Sequence, residues 1–367
     1  MKYLLLLFPF VFLACSTGKD VKLAELAFPI VNPALSNQQL NLITETIRQF
    51  PNGANFAVAL IDGDRLRFQG VERHHNRLIP SENAQAVFEI GAITEVFTVH
   101  LLLNALKNGK IDSLDGLIAP HLDFKLREER PLTFKQLANH TSGLSHSLSA
   151  TVFSAKNPYK SYDYEKFTGL LNRASSWSGA PGEQYDYSNL GVGLLGYTLR
   201  QIYEESFENL LRKQIFEPLK MTKTTTKRRK ISDKLVPAYN WKGRRTKNWD
   251  MGELEGAGAI LSSVADLAKY AQWNFKALQG DLAPMKEETM AVDESLAVGL
   301  GWFIKKSETK TPFLWHNGRT GGYKAEIAID PHQQKSVIIL TNIGAADTPQ
   351  RDLIDALCFG LMETLYD

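Results

Sequence analysis

Phe88-Glu89-Ile90-Gly91-Ala92-Ile93-Thr94-Glu95-Val96-Phe97-Thr98 reads as the approach to a helix and its first turns. Gly91-Ala92 is an ordinary helix start, and a glutamate at 95 suits the positive end of the helix dipole. Val99, Leu102, Leu103 and Leu106 continue at helical spacing, and Gly109 marks the end. A spacing of three puts side chains 92 and 95 on one face of that helix. A methyl group and a carboxylate therefore sit side by side where the helix begins.

Working outward, residues 38–50 read as an amphipathic helix, with Leu40, Ile43 and Ile47 near helical spacing. Two strands are predicted over 55–61 and 65–70. Asp62-Gly63-Asp64 between them is a strong hairpin signal. From about 110 to 290 the pattern is helical segments broken by loops, over 133–139, 164–173, 190–203, 207–215 and 263–278. Strand character returns over 298–304, 322–329 and 336–341, with Asp330-Pro331 turning between the last two. A helix over 350–364 closes the chain. The order of elements predicts an α+β body with a helical insertion.

The 367 residues are 44% hydrophobic and 22% charged, ordinary globular composition for one large or two smaller domains. A formal net charge of +2 is too small to point to nucleic acid. Lys227-Arg228-Arg229-Lys230 is the basic run of note, and it reads as a solvated loop. No His-Glu-x-x-His, Walker or dinucleotide-glycine motif occurs, and His74-His75 reads as a strand-edge or loop pair, so no metal and no cofactor is expected.

The N-terminus carries an address. Lys2 precedes an apolar run from Tyr3 to Ala14, which fits a signal-peptide core and is too short to span a bilayer. Leu13-Ala14-Cys15-Ser16 resembles a bacterial lipobox. Residues 1–14 are thus expected to be a signal peptide and Cys15 an acylated mature N-terminus. Polar, proline-containing residues 15–35 then form a tether. Cys358, the second cysteine, lies in a helix-like pattern and reads as a small buried hydrophobe.

Several separated segments agree with one family. Residues 88–98 match Phe-x-Ile-Gly-Ser-x-Thr-Lys-x-Phe-Thr except that Ala92 replaces the serine and Glu95 the lysine. Leu137 to Leu144 resembles Leu-Leu-x-His-Thr-Ser-Gly-Leu, and Pro181 to Asn189 resembles Pro-Gly-x-x-Phe-x-Tyr-Ser-Asn. Gly256 to Ser263 resembles the glycine-containing segment before the last helix of the helical domain. His316 to Tyr323 resembles the His-x-Gly form of the third motif. On these motifs the chain is similar to the serine β-lactamase-like group: class C β-lactamases, penicillin-binding DD-peptidases and related carboxylesterases.

The resemblance implies a β-lactamase/DD-peptidase-like fold over 36–366. An antiparallel sheet flanked by helices (about 36–110 and 295–366) would be joined to an all-helical part (about 111–294). It places the nucleophile position at Ala92 and the base position at Glu95. Tyr187 would be the proton-moving tyrosine and Asn189 the residue that bonds substrate and base, unless Asn189 or Ser188 caps a helix. His316 would take the position of the third-motif lysine. The oxyanion hole would use the backbone N–H groups of Ala92 and Arg319, which survive loss of a side chain. His140 and Ser142 read as structural.

Serine acylation is not available with alanine at 92. The expected protein is a lipid-anchored pseudoenzyme of the cell envelope, facing periplasm or surface, whose cleft takes a cell-wall peptide, an ester or a protein partner. The alternative is a hydrolase of the same family acting on peptide, lactam or ester bonds. It would work through Glu95-activated water, or through a Ser/Lys pair at 92 and 95 in an unmodified parent.

Overall fold

The computed structural model describes residues 35–126, 130–145, 157–306, 311–344 and 349–367. The signal segment, Cys15 and the tether up to residue 34 lie outside them.

A nine-stranded sheet organises the molecule. Its strands are β1 (Asn55–Asp62), β2 (Arg65–His74), β3 (Arg77–Pro80), β4 (Met290–Ala291), β5 (Leu296–Val298), β6 (Phe303–Lys305), β7 (Phe313–Arg319), β8 (Lys324–Asp330) and β9 (Lys335–Thr341). The spatial order is β3-β2-β1-β9-β8-β7-β6-β5-β4, with every neighbouring pair antiparallel. The β1–β9 pairing, Phe56 opposite Thr341 through Asp62 opposite Lys335, joins the two ends of the described chain in one sheet. The β1–β2 hairpin turns where Asp62-Gly63-Asp64 predicts it, with Asp62 opposite Arg65 and Gly63 at φ +59°.

Among the described residues five helices have eleven or more residues: α1 (Asn37–Ile47), α2 (Thr94–Lys107), α3 (Asn189–Tyr203), α4 (Val264–Ala277) and α5 (Pro349–Glu363). On one face of the sheet, Ile43 and Ile47 of α1 and Ile354, Leu357 and Leu361 of α5 bury Phe56, Val58 and Ile339. Cys358 belongs to this layer and is fully buried, as a small hydrophobe. On the other face, alternate residues Ala57, Ala59, Ile338 and Leu340 pack with α2, α4 and the helical region. β1 is covered on both faces, which explains its unbroken apolar run.

Helix α2 is the central element. Its residues from Thr94 to Leu103 are all buried, so its apolar character extends round the helix rather than along one stripe. Thr94 Oγ1 accepts from Ile260 N at 3.1 Å, and Thr98 Oγ1 donates to Gly256 O at 2.6 Å. Phe97 stacks on Tyr270 with ring centroids 4.1 Å apart. The two threonines and the phenylalanine of the opening stretch are thus the pins that fix the start of α2.

The strands depart from the sequence reading in several places: the expected 298–304 strand is split between β5 and β6, with residues 299–302 turning between them, and β3 and β4 are not predicted. The 322–329 segment is a strand only from Lys324, and β7, over 313–319, is not predicted at all. After Phe313 it alternates buried and half-buried residues, but from Trp315 on these are Trp, His, Asn, Gly and Arg rather than aliphatic.

Candidate active-site cleft

A cleft of about 340 Å³ opens between β7 and the helical region, with Ala92 on its floor and Tyr159, Tyr185, Tyr187, Trp249, Phe303 and Trp315 among its walls. Strand β6 pairs with β7 only at Phe313–Trp315, which leaves residues 316–319 with an edge turned to the cleft. The backbone of Gly91-Ala92 crosses this edge at close quarters. A Cβ on Gly318 would stand 1.9 Å from Ile90 O and 2.8 Å from Ala92 N, and a Cβ on Gly91 would stand 2.6 Å from Arg319 N. Gly91 also has φ +52°, which glycine adopts without cost. Two glycines are therefore what lets the backbone amides of 92 and 319 lie side by side.

The direction of one of these amides follows from register. Thr320 N donates to Tyr323 O at 2.9 Å across the β7–β8 turn. Antiparallel partners alternate between hydrogen-bonded and non-hydrogen-bonded pairs, so the Arg319–Lys324 pair is of the second kind. The Arg319 N–H then points away from β8, toward the crossing Gly91-Ala92 segment. A backbone donor at this point is of the kind that can polarise a carbonyl.

Below Ala92 the polarity is that of an anion's nest. Glu95 is fully buried. Tyr187 Oη donates to Glu95 Oε1 at 2.6 Å, and Glu95 Oε2 lies 3.2 Å from His140 Nε2 and 3.6 Å from His316 Nε2. Ser188 N donates to His140 Nδ1 at 3.2 Å, so the His140 proton sits on Nε2, facing the carboxylate. The His316 ring has its Nδ1 2.7 Å from Asn317 O, which can only accept. Burial alone would raise the Glu95 pKa, but the two histidine rings outweigh it and bring it from 4.5 to about 2. Burial pushes the Tyr187 phenol well above its ordinary value, and the adjacent carboxylate adds to that. Tyr187 is thus held as a neutral donor, the opposite of a base.

The structure gathers Ala92, Glu95, Tyr187, Asn189, His316 and the Arg319 backbone into one place. It also separates the two roles weighed for Asn189. Ser188 is the cap of α3, its Oγ accepting from Gly191 N at 2.9 Å, while Asn189 turns to the cleft and donates to Tyr159 Oη at 3.1 Å. Ser142 is structural: it is fully buried and its Oγ accepts from Leu144 N at 3.2 Å. His140 is more than a packing residue, because its ring touches Glu95. The sequence signal for it is weak, a histidine 45 residues away in a turn that only the fold brings back. Its φ of +58° is a conformation histidine adopts more readily than most residues. Lys227, Arg228 and Lys230 are not a free basic patch, since they pair with Glu255, Asp250 and Glu208. Among the described residues no group of three or more His, Cys, Asp or Glu side chains could hold a metal ion, and no helix is long and apolar enough to cross a membrane.

Comparison with known proteins agrees with this architecture. The model of the Beta-lactamase family matches residues 43–357. Protein flp of Staphylococcus aureus is 22% identical over 283 residues, 72% of this chain and 54% of the relative. Beta-lactamase-like protein 4 of Dictyostelium discoideum is 28% identical over 207 residues, 50% of this chain and 34% of the relative. The chain thus spans about half, or less, of the length of these curated relatives. An octameric penicillin-binding protein homologue from Pyrococcus abyssi superposes with a TM-score of 0.76 at 22% identity, over 90% of this chain and 77% of that one. A class C beta lactamase from Rhodobacter sphaeroides superposes with a TM-score of 0.73 at 20% identity, over 90% of this chain and all of the other. With the match running from α1 into α5 and the motif residues meeting in one cleft, the chain belongs to the Beta-lactamase family.

Proposed function

We propose that this chain is a pseudoenzyme of the cell envelope, anchored through an acylated Cys15, whose cleft holds a cell-wall peptide, an ester or a protein partner without turning it over. The observation that carries the reading is the Ala92–Glu95 pair. Where the amides of 92 and 319 lie side by side stands a methyl group, and beneath it a buried carboxylate whose Oε1 accepts from Tyr187 and whose Oε2 is faced by His140. A methyl cannot attack a carbonyl, and removing the nucleophile costs about 10⁶ in kcat in a serine protease.

The Glu95-activated-water alternative draws less support. A carboxylate with a pKa near 2 is a weak base at neutral pH, and Glu95 has no solvent contact from which to take a water's proton. The environment at 95 also suits an anion.

The test is the intact mass of the protein after exposure to a fluorescent penicillin and to a fluorophosphonate. The expected mass is unchanged, and a covalent adduct at any residue refutes the reading. For the anchor, metabolic labelling with an alkyne fatty acid should mark the wild type and fail to mark Cys15→Ala. Equal labelling of both removes the lipoprotein claim.

A further inference from the structure

The loop that supplies Trp249 and Met251 to the cleft carries a second feature at its outer end. From Tyr239 to Trp249 it contains Lys242, Arg244, Arg245 and Lys247 and not one acidic residue. All four cations are exposed, and among the described residues none of them makes an ion pair. Between them stands Trp241, one of few large exposed hydrophobic residues, at 42% of its full exposure.

The tip is held in shape by its base. Thr246 N donates to Ala238 O at 3.1 Å, Asn240 N donates to Arg244 O at 2.9 Å, and Asn240 Oδ1 accepts from Lys242 N and Arg244 N at 3.0 Å each. Lys242 Nζ stands 4.7 Å from the centre of the Trp241 ring, and Arg245 lies over Tyr239. Gly243 rests on the turn after α1, where an added Cβ would meet Pro51 at 3.1 Å. Arg73 reaches the same corner, its Nη1 donating to the carbonyls of Arg48 and Phe50.

We propose that this rigid tip is a docking surface for an anionic bilayer. Charge complementarity supplies the attraction, since each Lys or Arg near an anionic leaflet adds to binding. The exposed indole decides between a bilayer and a soluble polyanion. Indole rings favour the headgroup region, where an apolar body and a polar N–H are both accommodated, whereas a polyanion needs only the cations. Because the same loop forms a cleft wall, docking would set the cleft at a fixed height over the membrane. The proposal does not depend on the reading of the cleft as catalytic or not.

The experiment uses the chain from Ser16 onward, so that neither the apolar leader nor an acyl chain contributes. Its co-sedimentation is measured with phosphatidylcholine vesicles with and without phosphatidylglycerol. The anionic lipid should raise the partition coefficient. Lys242→Ala/Arg244→Ala/Arg245→Ala should lower it about five-fold per cation, roughly 100-fold in all. Brominated lipid should quench a component of tryptophan emission that is missing in Trp241→Phe, a readout that survives if the triple variant folds poorly. Partition indifferent to phosphatidylglycerol, or a folded triple variant that partitions like its parent, overturns the proposal. So does quenching unaltered in Trp241→Phe, or retention on an anionic polymer without vesicle binding.

Discussion

Two neighbouring parts of the cleft are built in different ways. The crossing of Gly91-Ala92 over Gly318-Arg319 is built from backbone, and it brings the amides of 92 and 319 side by side. The nest beneath it is built from side chains, and there Glu95, His140 and Tyr187 form an arrangement suited to an anion. Backbone geometry here is locked by contacts that leave no room for a Cβ, so it cannot drift without loss of the fold. Side chains at 92 and 95 can be exchanged as long as their neighbours remain satisfied. That difference would permit the loss of chemistry proposed above with the architecture retained.

The comparison can be broken most forcefully by chemistry. If only side chains are lost, Ala92→Ser with Glu95→Lys should hydrolyse a simple activated ester about 10²-fold faster than the wild type, the low end of what a positioned base contributes. Ala92→Ser alone should do much less, because Glu95 would leave the serine unactivated. The restored rate should stay modest, since the Nε2 proton of His140 would face the new ammonium. A wild type that already hydrolyses the ester, and loses that rate in Glu95→Gln, would mean the nest is itself catalytic.

On the backbone side, Gly318→Ala should be the most damaging single substitution in the cleft. Its methyl would lie 1.9 Å from Ile90 O, a backbone atom that cannot step aside. A loss of about 3 kcal/mol or more is expected in denaturant unfolding. A well-folded Gly318→Ala protein would show that the crossing is looser than the contacts imply.

The nest should respond more gently and with a pH signature. The folded-state pKa of Glu95 lies below its ordinary 4.5, so its contribution is fully present above that value and is lost as pH falls toward about 2. Glu95→Gln places an amide among groups that suit a carboxylate and should cost about 1–3 kcal/mol near neutral pH. The gap between wild type and variant should close as the solution is acidified through that window. A gap that holds constant down to pH 2 would mean that the nest does not favour the anion.

Most of the frame is legible in the sequence because it rests on local rules. The 62–64 turn, the apolar spacing of α1, α2 and α4 and the Ser188 cap all report their own structure within a few residues. Strand β7 is not legible, because its residues are chosen for the cleft: His316, Asn317, Gly318 and Arg319 look like a loop until β8 pairs with them. His140 is misjudged for a related reason, since what gives it a role is Glu95, distant in sequence. The basic tip escapes notice because Gly243 and Thr246 interrupt its cations, while the contiguous run at 227–230 stands out and proves to be paired. Run length is a poor guide to net field where acidic partners arrive from elsewhere in the fold.

The methyl group of Ala92 has one more consequence, in thermodynamic linkage. If, as proposed, the cleft does not consume its occupant, it reaches equilibrium with it, and occupancy then follows free concentration alone. Any ligand that enters must also stabilise the fold, by about 2.7 kcal/mol when present at 100 times its Kd. Melting temperature is therefore a direct gauge of binding for this protein, usable on mixtures of envelope extracts whatever molecule the cleft holds.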